Sequence, residues 1–547
     1  MKSLILGGLW LTLAPVFSKE PESQRVGVFA RQTGITLQQA MLMALEQNLE
    51  IETQRNILEN TRLAVKAARG VFDPNLRWNP SLESRNTPTS SILMGSGGRL
   101  SERFFTQNVY FQQKTPWRGL SFRLDFENNR QTSSNPFSSL NPYYNSRLLV
   151  GINQPLWRNR QLDRERLEIR VRSKQTEMSR EELELKVTDI VSRVEQAYWD
   201  LVAARQEVVV QKDHVDWAEE QLARNQRMIL QGVLARVEIA ASEAELERRR
   251  DNWYAGLEAL TRAENLLKTM LSSERSKPIW DEELIPFEET PATPPEGQFP
   301  DMVKMALEKR LELRLNRLRD ESNQLQKKFA AEQTKPQVNL TGAYINSGLA
   351  GTLQSKGNFF SSSSALQLER LNQLSMLAGL PPLPPTSTGS LPPSLIGGFG
   401  GALANVFSGH FQTFQIGLAI DLTVRNRTAE ASLAQTMVAE KNLKVEKSRL
   451  EQEIDAQVRN ALQSLHSARQ RISASEAGEK AAKEKLESEI RLFQNNESTN
   501  FMVLTRQNEY ADARRRTLQA KLDYHKAIAR LEQATGRTLE AHQITLP

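Results

Sequence analysis

The 547-residue sequence has no cysteine, only five histidines, and after its first twenty residues no apolar run that approaches eighteen residues. The absence of cysteine excludes disulfides, thiolate metal sites, a cysteine nucleophile and acylation of an N-terminal cysteine. His214, His410, His466, His525 and His542 are scattered, and none has a second histidine at the i+3 or i+4 spacing of a helical metal site, so no metal is expected. No glycine-rich phosphate loop and no nucleophile elbow occur, so no cofactor and no enzymatic activity are expected. The missing apolar runs leave the mature chain without a transmembrane helix. Charge of one sign is lacking too: 71 basic and 65 acidic residues are interspersed. Arg248–Arg250 and Arg514–Arg516 have acidic residues close by, which suits solvated helix faces rather than nucleic acid. Proline is absent from 161–270, where the only glycines are Gly232 and Gly256, and again between Pro393 and Pro547.

What fills the first proline-free stretch is a helix seam. Leu183, Val187, Ile190, Val194, Ala197, Leu201, Ala204 and Val208 alternate spacings of four and three, as in a helix packed along another helix. Val191, Tyr198, Val202 and Val209 form a second stripe. At ~1.5 Å per residue, 161–230 makes a rod of roughly 105 Å, reversed at Gln231-Gly232-Val233. A long solvated coiled coil is the plainest meaning of such a stretch, and its neighbours decide whether that meaning suffices. At the N-terminus, Met1-Lys2 precedes an apolar run, Leu4 to Phe17, and Val16 and Ser18 suit the −3 and −1 positions of a cleavage site. Residues 1–18 are therefore expected to be a secretory signal peptide.

A polar leader, 19–35, leads to a helix expected over 36–70, with Leu37, Met41, Leu45 and Leu49 on one face. Strands are expected within 75–157. Leu120, Phe122, Leu124 and Phe126 alternate with Ser121, Arg123, Asp125 and Glu127, and Thr115–Gly119 makes a tight turn. Residues 72–157 hold 13 of the chain's 36 aromatics in under a sixth of its length, which suits transmembrane barrel strands better than a soluble sheet. A helical hairpin over 161–271 completes a first repeat, 36–271, and a Pro-rich linker follows at 272–300. The pattern then recurs. Met43-Ala44-Leu45-Glu46 reappears as Met305-Ala306-Leu307-Glu308, Pro74 falls on Pro336, and Val194, Ala197 and Leu201 fall on Val458, Ala461 and Leu465. The second repeat, 301–535, comprises a helix over 302–334, strands over 337–346 and 411–424 separated by a Gly/Ser/Pro-rich insertion at 349–409, and a hairpin over 425–535. A tail, 536–547, remains.

The expected fold is mainly α with transmembrane β: long helical hairpins plus strands of a barrel, on a tandem duplication. A barrel in lipid must close, because an open edge leaves backbone groups unpaired. One chain offers four strands, or six if the 104–129 hairpin joins. Known single-chain barrels begin at about eight, so the chain must oligomerise. At this point the sequence resembles the TolC-like outer-membrane efflux proteins. The carriers are Ile35-Thr36-Leu37…Ala40…Ala44-Leu45…Asn48, the Asp73-Pro74-Asn75-Leu76 and Lys335-Pro336-Gln337-Val338 junctions, Gly151-Ile152-Asn153-Gln154-Pro155-Leu156-Trp157 and Gln231-Gly232-Val233-Leu234. The resemblance implies a homotrimer in outer-membrane lipid, extending into the periplasm. It also implies a periplasmic adaptor (membrane fusion) protein and an inner-membrane pump as partners, in tripartite efflux or type I secretion.

On that reading, Gly232, Val233, Leu234, Asn496, Glu497 and Ser498 are adaptor-docking tips. Glu238, Met502 and Thr505 are candidates for the periplasmic aperture. Arg123, Asp125, Glu127, Gln415 and Asp421 face the lumen. The hairpin at 104–129 and the insertion at 349–409 exceed the family pattern of two strands per repeat, and set twelve strands against eighteen. An exported coiled-coil scaffold or adhesin without channel activity would account for the helices but leaves the strands unexplained.

Overall fold

The structure, a computed structural model, describes residues 25–26, 31–90, 98–232, 235–287, 297–354, 359–384, 391–495 and 497–545. The expected signal peptide lies outside them. The fold divides into two compact units: one comprises 1–61, 176–319 and 443–547, the other 62–175 and 320–442.

The first unit is helical, with one small sheet. Strand β1 (Gln32–Ile35) leads into α1 (Leu37–Gln47). The start of α1 is set by a capping box, in which Thr36 and Gln39 satisfy each other's backbone amides. The helix expected over 36–70 is broken. Asn48 leaves helical geometry (ψ 123°), and its Oδ1 accepts from the amides of Glu50 at 2.9 Å and Ile51 at 3.3 Å, restarting the chain as α2 (Leu49–Arg69). The second repeat breaks in the same way. The helix expected over 302–334 is α5 (Phe299–Lys309) and α6 (Leu311–Gln333), parted at Arg310 with ψ 125°.

The first long hairpin is α3 (Arg164–Leu230) and α4 (Val237–Leu271), three residues later at its start than expected and with its second arm beginning at 237 rather than 233. The Pro-rich linker is not plain loop. Its β6 (Glu283–Pro286) pairs in parallel with β1, inside the expected leader. The main core joins β1, α1, α2, α3, α4 and β6 through Ile35, Met41, Ile51, Ile190, Val194, Leu201, Leu267 and Leu284. A second, smaller core is its copy: Ala306, Ile454, Val458 and Leu531 stand 262–264 residues after Ala44, Ile190, Val194 and Leu267. Its helices are α5, the long α9 (Arg427–Gln494) and α10 (Asn500–Thr535), followed by a short α11 (Thr538–Ala541).

The second unit carries the membrane question. Strands β2 (Asn75–Pro88), β3 (Arg99–Lys114), β4 (Ser121–Ser133), β5 (Leu140–Pro155), β7 (Gln337–Leu353) and β8 (Gln412–Asp421) form one antiparallel sheet in that order. The β3–β4 hairpin thus joins the sheet between β2 and β5. Strand β7 runs seven residues past the expected 346. The expected loop-like insertion contains two helices, α7 (Phe359–Leu377) and α8 (Phe399–Ser408). Helix α8 packs on β7: no Cβ fits at Gly348, where the Ala402 carbonyl and the Val406 backbone lie, and Asn346 donates to the Val406 carbonyl. Among the described residues no helix is long and apolar enough to cross a membrane, a finding silent on β-barrels.

Candidate channel wall and helical tips

The register of the six strands sorts their side chains onto two faces, because successive residues of a strand point to opposite sides. One row across the sheet reads Leu76, Phe111, Leu124, Val150, Tyr344 and Phe414; the next reads Trp78, Val109, Phe126, Leu148 and Asn346. Phe122, Ile152 and Ile416 align in a third, with Leu340 and Leu418, then Val338 and Ile420, below it. These rows make a continuous apolar face. On β7 it ends at Tyr344, but on β2–β5 the Trp78–Leu148 row carries it to the level of Asn346; from the Val338 row that is eight steps, or ~27 Å of strand and ~21 Å after a ~40° tilt, near the ~25 Å apolar band of outer-membrane barrels. Trp117 and Trp157 are exposed at the end of the sheet where β3 turns into β4 and β5 ends, a placement suited to an interfacial girdle.

The opposite face carries the charged residues, interspersed with apolar ones such as Leu149 and Ile345. Arg123, Asp125 and Glu127 of β4 and Gln415 and Asp421 of β8 all lie on it, by register with Gly151, Leu149, Arg147, Ala343 and Gln337. Ion pairs link Arg123 with Asp125 at 3.7 Å and Arg147 with Glu127 at 3.6 Å. A soluble sheet with one solvated face would bury its apolar face on a core. Here Leu124, Val150, Ile152, Ile416 and Leu418 are exposed in the single chain, and only the rows at the far end are covered, by α8. Among the described residues, both edges of the sheet, β2 and β8, are unpaired.

The β3–β4 turn lies at the end of the sheet from which the helices depart. Lys114 reaches Glu165 of α3 at 2.5 Å, and Gln154 donates to the Arg118 carbonyl at 2.9 Å. Arg118 and Gly119 have φ of 48° and 74°, so the tight reversal depends on Gly119, the one residue there without a Cβ.

The tips lie in the first unit. Gly232 has φ 75° and ends the turn after α3, where an added Cβ would meet nothing within 4 Å. Val233, Leu234 and Asn496 lie outside the described residues. Glu497 is exposed, its amide donating to the Leu492 carbonyl at 2.9 Å, and Ser498 donates to Glu489. The aperture candidates do not form one described cluster. Glu238 sits half-buried in the first turn of α4, while Met502 and Thr505 sit half-buried in α10, with the Thr505 hydroxyl on the Phe501 carbonyl at 2.8 Å. Behind the first tip, Gln221 donates to Asn225, and Asn225 to Ser242, at 3.0 and 2.8 Å, a buried polar ladder joining α3 to α4.

Two buried ionic clusters escape sequence reasoning because each joins segments far apart in the chain. In one, Glu264 and Lys268 are fully buried at 2.7 Å. Arg25 donates to Glu264 at 2.6 Å, and Lys268 donates to the Glu282 carbonyl at 2.6 Å. In the other, His542 Nε2 lies 3.3 Å from Glu195 and 3.6 Å from Glu532. Burial, and then the neighbouring Glu195 carboxylate, push Glu532 up to about 7. His214 is buried against Trp217, and burial with Arg249 and Arg514 nearby pushes it down to about 4. His525 stacks on Trp199 with ring centroids 3.8 Å apart.

An amphipathic antiparallel wall joined in the chain to helical hairpins 67 and 68 residues long in their first arms is the arrangement of a TolC-like channel fold. Comparison with known proteins agrees. Residues 110–273 match the outer membrane efflux protein family. Among solved structures, the chain is similar to the CmeC outer membrane channel of Campylobacter jejuni, with 13% identity over 92% of this chain and 86% of that one and a TM-score of 0.63. It is similar to the VceC outer membrane protein of Vibrio cholerae, with 12% identity, coverage of 91% and 96%, and a TM-score of 0.60. It is also similar to the open MtrE channel of Neisseria gonorrhoeae, with 16% identity, coverage of 92% and 89%, and a TM-score of 0.57. No curated protein sequence matches the chain. The resemblance read from the sequence therefore holds: this chain has the fold of the TolC-like outer-membrane channels, and residues 110–273, in its first half, match the efflux family.

Proposed function

We propose that this chain is the exit duct of a tripartite efflux or type I secretion system, working as a homotrimer that conducts its cargo passively. The observation that carries the proposal is the sheet: one face apolar over a membrane-sized band, the other charged, and both edges open. A scaffold or adhesin has no use for such a wall. In lipid each unpaired backbone group costs several kcal/mol, so the edges must be satisfied by further copies of the sheet. The apolar face then meets lipid, and Arg123, Asp125, Glu127, Gln415 and Asp421 line an aqueous lumen.

The helices extend from the end of the sheet that carries the tight β3–β4 turn, which suits a periplasmic position, since short turns face the periplasm in such barrels. The tips around Gly232, Glu497 and Ser498, to which Val233, Leu234 and Asn496 are adjacent in the sequence, are the surfaces for a periplasmic adaptor. Energy comes from an inner-membrane pump, and the duct itself needs no cofactor. The purified protein should be a detergent-stable trimer that forms conducting channels in planar bilayers. A folded monomer without conductance would overturn the proposal.

A further inference from the structure

The sheet has six strands per chain, and the family pattern of two strands per repeat supplies four. We propose that β8 of one copy pairs with β2 of the next, so that three copies close an eighteen-stranded barrel of porin-like width rather than a twelve-stranded one. This rests on the trimeric duct reading above, and it names the surface through which the copies join.

Polarity permits the seam. Each neighbour in the order β2-β3-β4-β5-β7-β8 is antiparallel to the last, so with six strands the two edges run in opposite directions. A β8 edge therefore meets the β2 edge of another copy antiparallel, and the alternation continues without a break around the ring. The faces also agree. Thr413, Gln415, Gly417 and Ala419 of β8 lie on the polar side with Arg77 of β2, through the aligned row Arg77, Tyr110, Asp125, Leu149, Ile345 and Thr413. On the other side, Leu76, Trp78 and Leu82 of β2 and Phe414, Ile416 and Leu418 of β8 are all exposed, so the apolar belt also continues across the seam. Pro80 lacks an amide, which removes one donor either from the β2–β3 ladder or from the seam.

The β3–β4 hairpin is built into the wall, not laid on it. Strand β3 pairs with β2 over fourteen consecutive residues and β4 with β5 over eleven. Removing the hairpin from the sheet would expose both ladders. The consequence is width. With strands ~4.8 Å apart and tilted ~40°, the backbone radius is roughly 12 Å for twelve strands and roughly 18 Å for eighteen, more than doubling the cross-section. Such a wall leaves an aqueous lumen at the outer membrane that a polypeptide or a bulky amphiphile can traverse.

Because the chain has no cysteine, introduced pairs report the seam directly. Arg77→Cys is combined in turn with Thr413→Cys, Gly417→Cys and Ala419→Cys in the full-length protein. It is combined separately with Arg147→Cys, Leu149→Cys and Gly151→Cys of β5. A disulfide needs Cα atoms within ~7 Å, and in this sheet β2 and β5 are three strand spacings apart, ~14 Å. Single-cysteine variants establish that trimers and conductance survive each substitution. Oxidation should give covalent dimers and trimers for at least one β2–β8 register and no disulfide for any β2–β5 pair. Conducting trimers with a β2–β5 disulfide inside one chain would show the hairpin outside the wall and overturn the eighteen-stranded barrel while leaving the duct intact. Conducting trimers with neither disulfide would do the same. Loss of trimers and conductance in the unsubstituted protein would remove the duct reading, and the barrel with it.

Discussion

The two faces of the sheet make opposite demands on a charge. Ile152 lies on β5 in the central row of the apolar belt, with Phe122 on one side and Gly342 on the other. Thr341 lies one residue below that row on β7, on the polar face, exposed between Asn153 and Gly417. An arginine at the bilayer midplane on the lipid side costs roughly 2–4 kcal/mol, falling to about 0–1 near the interfaces. Ile152→Arg therefore carries roughly 2–4 kcal/mol per chain and roughly 6–12 kcal/mol per trimer, since each copy brings the same charge to the same depth. Thr341→Arg projects into water among charges of both signs and should cost under about 1 kcal/mol. The assay is the fraction of protein recovered as heat-resistant trimer after refolding into liposomes over a urea series. Ile152→Arg should shift the folding midpoint strongly toward lower urea and leave monomer behind, while Thr341→Arg stays close to the unsubstituted protein. Equal loss for both, or a larger loss for Thr341→Arg, would refute the assignment of the faces to lipid and lumen.

Glu264→Leu should destabilise the β1–β6 sheet by roughly 3–5 kcal/mol, because it leaves Lys268 and Arg25 buried without their shared anion; hydrogen exchange at Leu284 and Ile285 measures it. Lys268→Met should cost less in the same experiment, since Arg25 still pairs with Glu264. Glu532 binds a proton in the folded state up to about pH 7 but only to about 4.5 when unfolded, so stability should fall as pH rises between those values, by about 3 kcal/mol in all, and stay flat above them. Glu532→Gln should abolish that slope in denaturation curves at pH 5 and pH 8. Gly232→Pro should abolish export while leaving trimer and conductance intact, because φ 75° is closed to proline. Glu238→Gln should alter cation selectivity in bilayers without affecting assembly, and unchanged selectivity would remove Glu238 from the aperture.

Much of the wall was legible because its two environments differ so sharply. Phe122, Leu124 and Phe126 alternate with Arg123, Asp125 and Glu127, and no burial on a core was needed to read that period. The hairpin's place in the sheet was not legible, since alternation is a property of one strand and pairing a property of two. The helix breaks at Asn48 and Arg310 carry no proline or glycine. Asn48 acts through a side-chain cap, and Arg310 becomes readable only through its offset of 262 from Asn48. Strands β1 and β6, of four residues each, are too short to show a period. Helix α8 begins among Gly398, Gly400 and Gly401, a loop-like composition, and forms because Ala402 and Val406 bury themselves against β7 where Gly348 leaves room. The acid cluster joins residues more than three hundred positions apart, beyond the reach of any local pattern.

The sheet is not the only part of the chain left unfinished. Helix α3 buries its seam on its own chain, with Val187, Ile190, Val194 and Leu201 nearly inaccessible. Its duplicate α9 buries the matching Ile454, Val458 and Ala461, but Met437, Val438 and Val445 stand exposed along its first half, as do Leu49, Ile57 and Leu63 along α2. Six half-exposed apolar side chains in water are a standing cause of association, and covering the remainder of each recovers roughly 4–9 kcal/mol in total. Sheet edges and helix faces thus ask for the same thing by different physics. Hydrogen bonding drives closure in lipid, where the open edge is intolerable, and apolar burial drives it in water, where the edge alone would be satisfied by solvent. Each repeat thus carries a buried seam beside exposed apolar positions, a core next to an uncovered face.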